Sequence, residues 1–81
     1  MRAFYTKRFL EQYASAPPAI QRAVDRRIAL LVQNLRHPSL RAKMYDEARG
    51  MWQARANGGW RFYFTIEGDL YHLIDLIPHP K

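Results

Sequence analysis

Residues 52–64 read WQARANGGWRFYF, and each half of this stretch carries an arginine inside an otherwise apolar, aromatic pattern. Arg55 and Arg61 lie at matched distances from the Asn57-Gly58-Gly59 turn, so the simplest hairpin sets two like charges opposite one another. Opposed like charges destabilise a strand pair, whereas a guanidinium is a planar fork that can hold two oxygens of one phosphate. The pair therefore has two readings. Either the arginines splay into solvent or pair with Asp75 or Glu67, or they form an anion site awaiting phosphate. Of the other titratable groups, His72 sits within an apolar strand and reads as a sheet histidine, and His37 reads as part of a helix stop. The sequence has no cysteine, so disulfides and thiolate–metal sites are excluded, and no cluster has metal-ligand spacing. A metal-free, cofactor-free chemistry is the simpler expectation. Gly58-Gly59 is not a phosphate-cradling loop, because no helix follows it and the P-loop spacing is missing.

The charge of the whole chain agrees with an anionic partner. Thirteen Lys and Arg against seven Asp and Glu give +6, with a pI near 10.2. On so small a surface that is a substantial positive field, favouring nucleic acid or acidic protein segments. The 81 residues suit one domain spanning 1–81, near the size at which a single core only just supports folding. The longest aliphatic run, IALLV at 28–32, is far short of a membrane span, and the N-terminus has no signal-peptide pattern. A soluble, cytoplasmic protein with no membrane partner is expected.

Two kinds of element must position the arginines. The first half reads helical. Thr6 can cap a short helix whose Phe9, Leu10 and Tyr13 share a face, and SAPP at 15–18 breaks it. From Pro18 to about Leu35, the residues Ile20, Val24, Ile28, Leu31 and Leu35 recur at spacings of four, four, three and four, an apolar stripe. Arg22, Arg26 and Gln33 lie on the other side as a solvated face, so part of the net charge needs no special role. RHP at 36–38 ends this helix, since the residue before proline disfavours α geometry. The two helices should form an antiparallel hairpin that needs a sheet to cover its stripe.

The second half supplies that sheet. Trp52, Ala54 and Ala56 alternate with Gln53 and Arg55, and Trp60, Phe62, Phe64 and Ile66 alternate with Arg61, Tyr63 and Thr65. EGD at 67–69 marks a turn, and LYHLIDLI at 70–77 reads as a central strand covered on both faces. RAFY near the start is a candidate edge strand. A two-residue loop would pair Asn57 with Trp60 and put Arg55 on the face of Phe62. A three-residue loop instead pairs Ala56 with Trp60 and Arg55 with Arg61, and gathers the bulky apolar residues on one face. The pattern favours the three-residue loop, with Gln53, Arg55, Arg61, Tyr63 and Thr65 on the face away from the helices.

A helical hairpin with RHPSL, then a lysine, then WQARANGGWRFYFTIEGD, an apolar strand and a closing PHPK resembles the RelE/ParE superfamily of bacterial toxins from type II toxin–antitoxin pairs. The likeness runs from about Thr6 to Lys81. It implies an α+β fold, an N-terminal helical hairpin packed on one face of a three- or four-stranded antiparallel sheet. RelE-type members are ribosome-dependent endoribonucleases (mRNA interferases) that cut mRNA and inhibit translation. ParE-type members keep the fold but poison DNA gyrase, and both are silenced by a cognate antitoxin. The resemblance thus implies mRNA, the ribosome and an antitoxin as partners. A ParE-like gyrase inhibitor, or a non-toxic basic interaction module of the same fold, remains as an alternative.

The nuclease reading gives the candidate residues roles. Ribose 2′-OH attack on the adjacent phosphate builds negative charge on the non-bridging oxygens, and the departing 5′-oxygen needs a proton. Fixed cations stabilise that transition state preferentially. Arg55 and Arg61 match basic positions of the family's strands and are the first choice for catalysis. His79, just beyond the last strand where several RelE-type toxins carry a functional His or Tyr, is the acid–base candidate; between two prolines it reads equally as a solvated residue. Lys43 falls where RelE-type enzymes bind phosphate, and Arg41, Tyr63 and Lys81 complete the expected RNA-binding set, with Tyr63 available to stack on a base. Asp46 or Glu47 is a weaker candidate base.

Overall fold

The computed structural model describes residues 1–78; His79 and Lys81 lie outside the described residues. Strand β1 (Arg2–Tyr5) leads into helix α1 (Lys7–Ser15) and helix α2 (Pro18–Gln33). A 3-10 turn at Pro38–Leu40 connects to β2 (Lys43–Asp46), and a second at Glu47–Arg49 connects to β3 (Met51–Asn57). The chain then runs through β4 (Trp60–Glu67) and β5 (Leu70–Pro78). No helix is long and apolar enough to cross a membrane among these residues.

The helices start and stop for local reasons. Thr6 Oγ1 accepts from Phe9 N at 3.3 Å, capping α1, and donates to Leu73 O at 2.7 Å, fixing the helix start to the sheet. Pro18 occupies the first turn of α2, where its missing N–H costs nothing. Ile20, Val24, Ile28 and Leu31 of the stripe are buried, while Leu35 lies past the helix end and is only partly covered. On α1 Phe9 is buried but Leu10 is half exposed, so the expected apolar face is narrower than its sequence suggests. Gln21 Nε2 donates to Tyr13 O (2.8 Å) and Tyr13 Oη to Asp25 (2.9 Å), tying the helices together.

The sheet has five strands in the order β1-β5-β4-β3-β2, with β1 parallel to β5 and the other pairs antiparallel. Two expectations are corrected here. The sheet is mixed rather than antiparallel throughout, because β1 lies beside the last strand in the same direction. The sheet has five strands rather than three or four, because KMYD, to which the sequence pattern assigned no element, is an edge strand on β3. β1 pairs only with Leu70–Leu73 of β5. Beyond it, Gln12 of α1 covers the open edge, its Oε1 accepting from Leu76 N at 2.8 Å.

Phe9, Val24, Leu31, Leu40, Phe62, Phe64 and Leu73 are fully buried between helices and sheet. Full burial of each large side chain contributes about 1.5–3 kcal/mol. A one-residue slip of β4 would turn both phenylalanines outward, whereas an opposed like-charge pair costs only about 0.2–1 kcal/mol. The core therefore decides the register. Trp52 faces Phe64, Ala54 faces Phe62, and Arg55 faces Arg61.

The turn that accomplishes this differs from the expected three-residue loop. Asn57 pairs with Trp60, leaving Gly58-Gly59 as a two-residue turn, and the register shifts between Arg55 and Asn57. Ala56 is the extra residue of a β-bulge and does not pair with Trp60. Asn57 Oδ1 accepts from Gly59 N at 2.8 Å, an Asx-type closure of the turn. The bulge reconciles the short turn with the Arg55–Arg61 pairing that the core requires.

Candidate functional site

Away from the helices, the sheet carries a cleft of about 300 Å³ lined by Arg41, Lys43, Gln53, Arg55 and Arg61. Among the described residues it holds four cations and no carboxylate. None of the four makes an ion pair among the described residues. The nearby acids are engaged elsewhere: Asp75 with Arg8 (2.7 Å), Glu67 with His72 (3.2 Å) and Asp46 with Arg49 (2.8 Å). Pairing of the two arginines with Asp75 or Glu67 is therefore not what the structure holds.

Arg55 and Arg61 emerge on the same face, but they differ in what they touch. Arg61 Nη1 donates to Asn57 O (3.0 Å), Trp60 O (3.1 Å) and, weakly, Gly58 O (3.4 Å), so it clamps the hairpin turn. Arg55 Nε is buried without a hydrogen-bond partner among the described residues. Arg41 above all, then burial, then Arg61 and Arg27, pull the Arg55 guanidinium below its ordinary value. An arginine remains charged at neutral pH even so, and what this environment lacks is an anion.

Arg41 reaches the cleft by an unusual backbone route. It follows the Pro38–Leu40 turn with φ 47°, ψ 42°, a left-handed conformation that a side chain tolerates poorly. Arg27 donates to Ser39 O and His37 Nδ1 accepts from Ser39 N (3.2 Å), which hold this turn against α2. Lys43 enters from β2, opposite Gln53 of β3.

Tyr63 departs from expectation. It lies on the predicted face, yet it is only 9% exposed, with its hydroxyl accepting from Gln53 Nε2 at 2.9 Å and Tyr45 set edge-on against its ring at 4.9 Å. Period-two alternation assigns a face, and here neighbouring side chains cover that face. Tyr45, which sequence reading passed over, is 57% exposed. Asp46 is held below the usual carboxylate range, chiefly by its hydrogen bond from Arg49, which leaves it poorly suited as a general base. Glu47 lies in the Glu47–Arg49 turn, outside the cleft lining. His72 pairs with Glu67 and packs on Phe4 (ring centroids 5.2 Å), as a sheet histidine should.

No family model matches the sequence and no curated protein matches it. Solved structures do match. A YoeB/ParE toxin from Agrobacterium tumefaciens aligns with TM-score 0.79 at 14% identity, over 99% of this chain and 100% of that one. A chain of the RelB–RelE antitoxin–toxin complex from Methanococcus jannaschii aligns with TM-score 0.78 at 16% identity, over 93% and 88%. YafQ from E. coli strain BL21(DE3) aligns with TM-score 0.76 at 15% identity, over 91% and 88%. The chain has the RelE/ParE toxin fold, as the resemblance implied.

Proposed function

We propose that this chain is the toxin of a type II toxin–antitoxin pair and acts as a ribosome-dependent endoribonuclease on mRNA in the cytoplasm. The observation that carries this reading is the cleft in which Arg41, Lys43, Arg55 and Arg61 converge with no carboxylate among the described residues. A cluster of unpaired cations costs the free protein electrostatic energy, and a phosphate relieves it. Charge grows on the non-bridging oxygens as the 2′-oxygen bonds to phosphorus and the 5′-oxygen departs with a proton. Preplaced guanidinium groups favour that state over the ground state. Arg55, whose Nε has no partner among the described residues, is the principal electrostatic group. Arg61 holds the turn and adds field to the cleft, while Arg41 and Lys43 bind the flanking backbone. His79 is proposed as the proton donor to the 5′-oxygen, and Lys81 as a further backbone contact.

The antitoxin partner is proposed on two grounds. One matched structure is an antitoxin–toxin complex. This chain also carries a groove of about 520 Å³ between β1 and α2, with Met1, Tyr5, Ile28, Ala29 and Val32 in its walls, suited to an apolar segment.

Mapping transcript ends after induced expression tests the reading. Codon-phased cuts that vanish in Arg55→Ala and weaken in His79→Ala are expected. DNA damage with intact transcripts would move the assignment to gyrase. Normal growth, with soluble protein present, would refute both.

A further inference from the structure

Beside the cation cleft lies a smaller cavity of about 180 Å³, lined by Tyr45, Arg49, Met51, Tyr63, Asp75 and Ile77. The two cavities share a wall, because Gln53 of the cleft donates to the hydroxyl of Tyr63 in the cavity. Tyr45 is the exposed aromatic in its lining. On β2, Met44 pairs with Trp52 and Asp46 with Met51, so Tyr45 is the unpaired residue of a β-bulge. Such bulges redirect a side chain and recur beside functional sites. The redirected ring packs edge-on against Tyr63 (interplanar angle 69°), and the residue is more than half exposed. Aromatic side chains exposed beside a cationic groove are what single-stranded nucleic acid stacks on.

We infer that Tyr45 and this cavity form a nucleobase subsite, stacking the base of the nucleotide whose phosphate occupies the Arg55 cleft. The stacking role that sequence alone suggests for Tyr63 passes to Tyr45, and Tyr63 becomes its support. The inference rests on the cleft binding RNA backbone, and its test separates the two claims.

The probe is a short fluorescein-labelled 2′-O-methyl oligoribonucleotide of mixed sequence, compared with a strand of equal length carrying abasic residues, read by anisotropy at fixed low salt. Base–aromatic stacking of about 1–3 kcal/mol corresponds to roughly 5- to 150-fold in affinity. Tyr45→Ala should weaken the intact strand by about tenfold and leave the abasic strand unchanged. Tyr45→Phe should bind as the parent does, since the ring and not the hydroxyl stacks. Arg55→Ala should weaken both strands. If Tyr45→Ala binds the intact strand normally, or loses both strands equally, the base subsite is refuted while the cleft stands. If Arg55→Ala binds both strands as the parent does, the phosphate cleft falls and the subsite with it.

Discussion

Arg55 and Arg61 face each other across one strand pair, yet removing their charges should move stability in opposite directions. Arg61→Met keeps most of the apolar stem and deletes the donor that serves Asn57 O at 3.0 Å and Trp60 O at 3.1 Å. Hydrogen bonds to a charged group contribute about 1.5–3 kcal/mol each, and because one partly solvated nitrogen supplies both, about 1.5 kcal/mol for the two together is appropriate. Losing the opposed positive charge returns roughly 0.5 kcal/mol. The net loss of about 1 kcal/mol corresponds to a fall in Tm of about 4–8 °C for a domain this size. Arg55→Met replaces a buried Nε that has no partner among the described residues with hydrocarbon, and removes the repulsion of Arg41, Arg61 and Arg27. Its Tm should equal or exceed that of the parent. Calorimetric melts of the three proteins at low salt decide the matter, and added pyrophosphate should raise the parent's Tm more than that of Arg55→Met. Equal melting of parent and Arg61→Met, or a lower Tm for Arg55→Met than for Arg61→Met, would refute this division of roles.

Three further outcomes are expected. Affinity for single-stranded RNA should fall with salt, and Arg55→Ala should reduce the log–log slope by about 0.7, the value for one phosphate contact on a single strand, in anisotropy titrations at several salt concentrations. Arg41→Gly should leave the Tm read in thermal denaturation level or raised, because relief of a left-handed side-chain residue, about 1–2 kcal/mol, meets a glycine entropy cost of about 0.5–1 kcal/mol, while RNA binding weakens in the same titrations. Burial pushes the Tyr71 phenol up, so the folded state holds its proton longer than the unfolded chain. That contribution is complete below about pH 10 and is lost as pH rises through the folded-state value, so Tyr71→Phe should soften alkaline unfolding. Part of the alkaline limb should persist, since Tyr5 is raised by burial and then Asp25, and Tyr13 chiefly by its hydrogen bond to Asp25.

Periodic burial was the legible part of this chain. The stripe from Ile20 to Leu31 and the alternation through Phe62 and Phe64 each report one face of one element, and tertiary packing confirmed both. Pairings between distant segments leave no such local mark. Nothing in RAFY specifies that it lies parallel to β5, because that choice depends on where α1 and α2 return the chain. KMYD carries too few residues for alternation to show, and the bulge at Tyr45 interrupts what alternation there is. The same limit governs the site. Sequence pattern places Arg55, Arg61 and Tyr63 on one face, but solvent access depends on neighbours from β2 that the pattern does not place.

The bulges carry the link between fold and chemistry. At Ala56 the extra residue lets a two-residue turn coexist with the Arg55–Arg61 pairing; at Tyr45 it leaves a ring unpaired beside the cleft. A further register shift falls between Tyr63 and Phe64 on the β4–β5 pair, where Tyr63 faces Asp75 and Phe64 faces Leu73. All three irregularities lie along strands that line the two cavities, and two of them pass through the core as well, at Ala56 and between the Phe62–Leu76 and Phe64–Leu73 pairs. An uninterrupted ladder would optimise hydrogen bonding and separate these side chains by fixed alternation. Deleting an unpaired position, Ala56 above all, should therefore preserve a folded core less well than substituting it, and should disperse the cations even where folding survives.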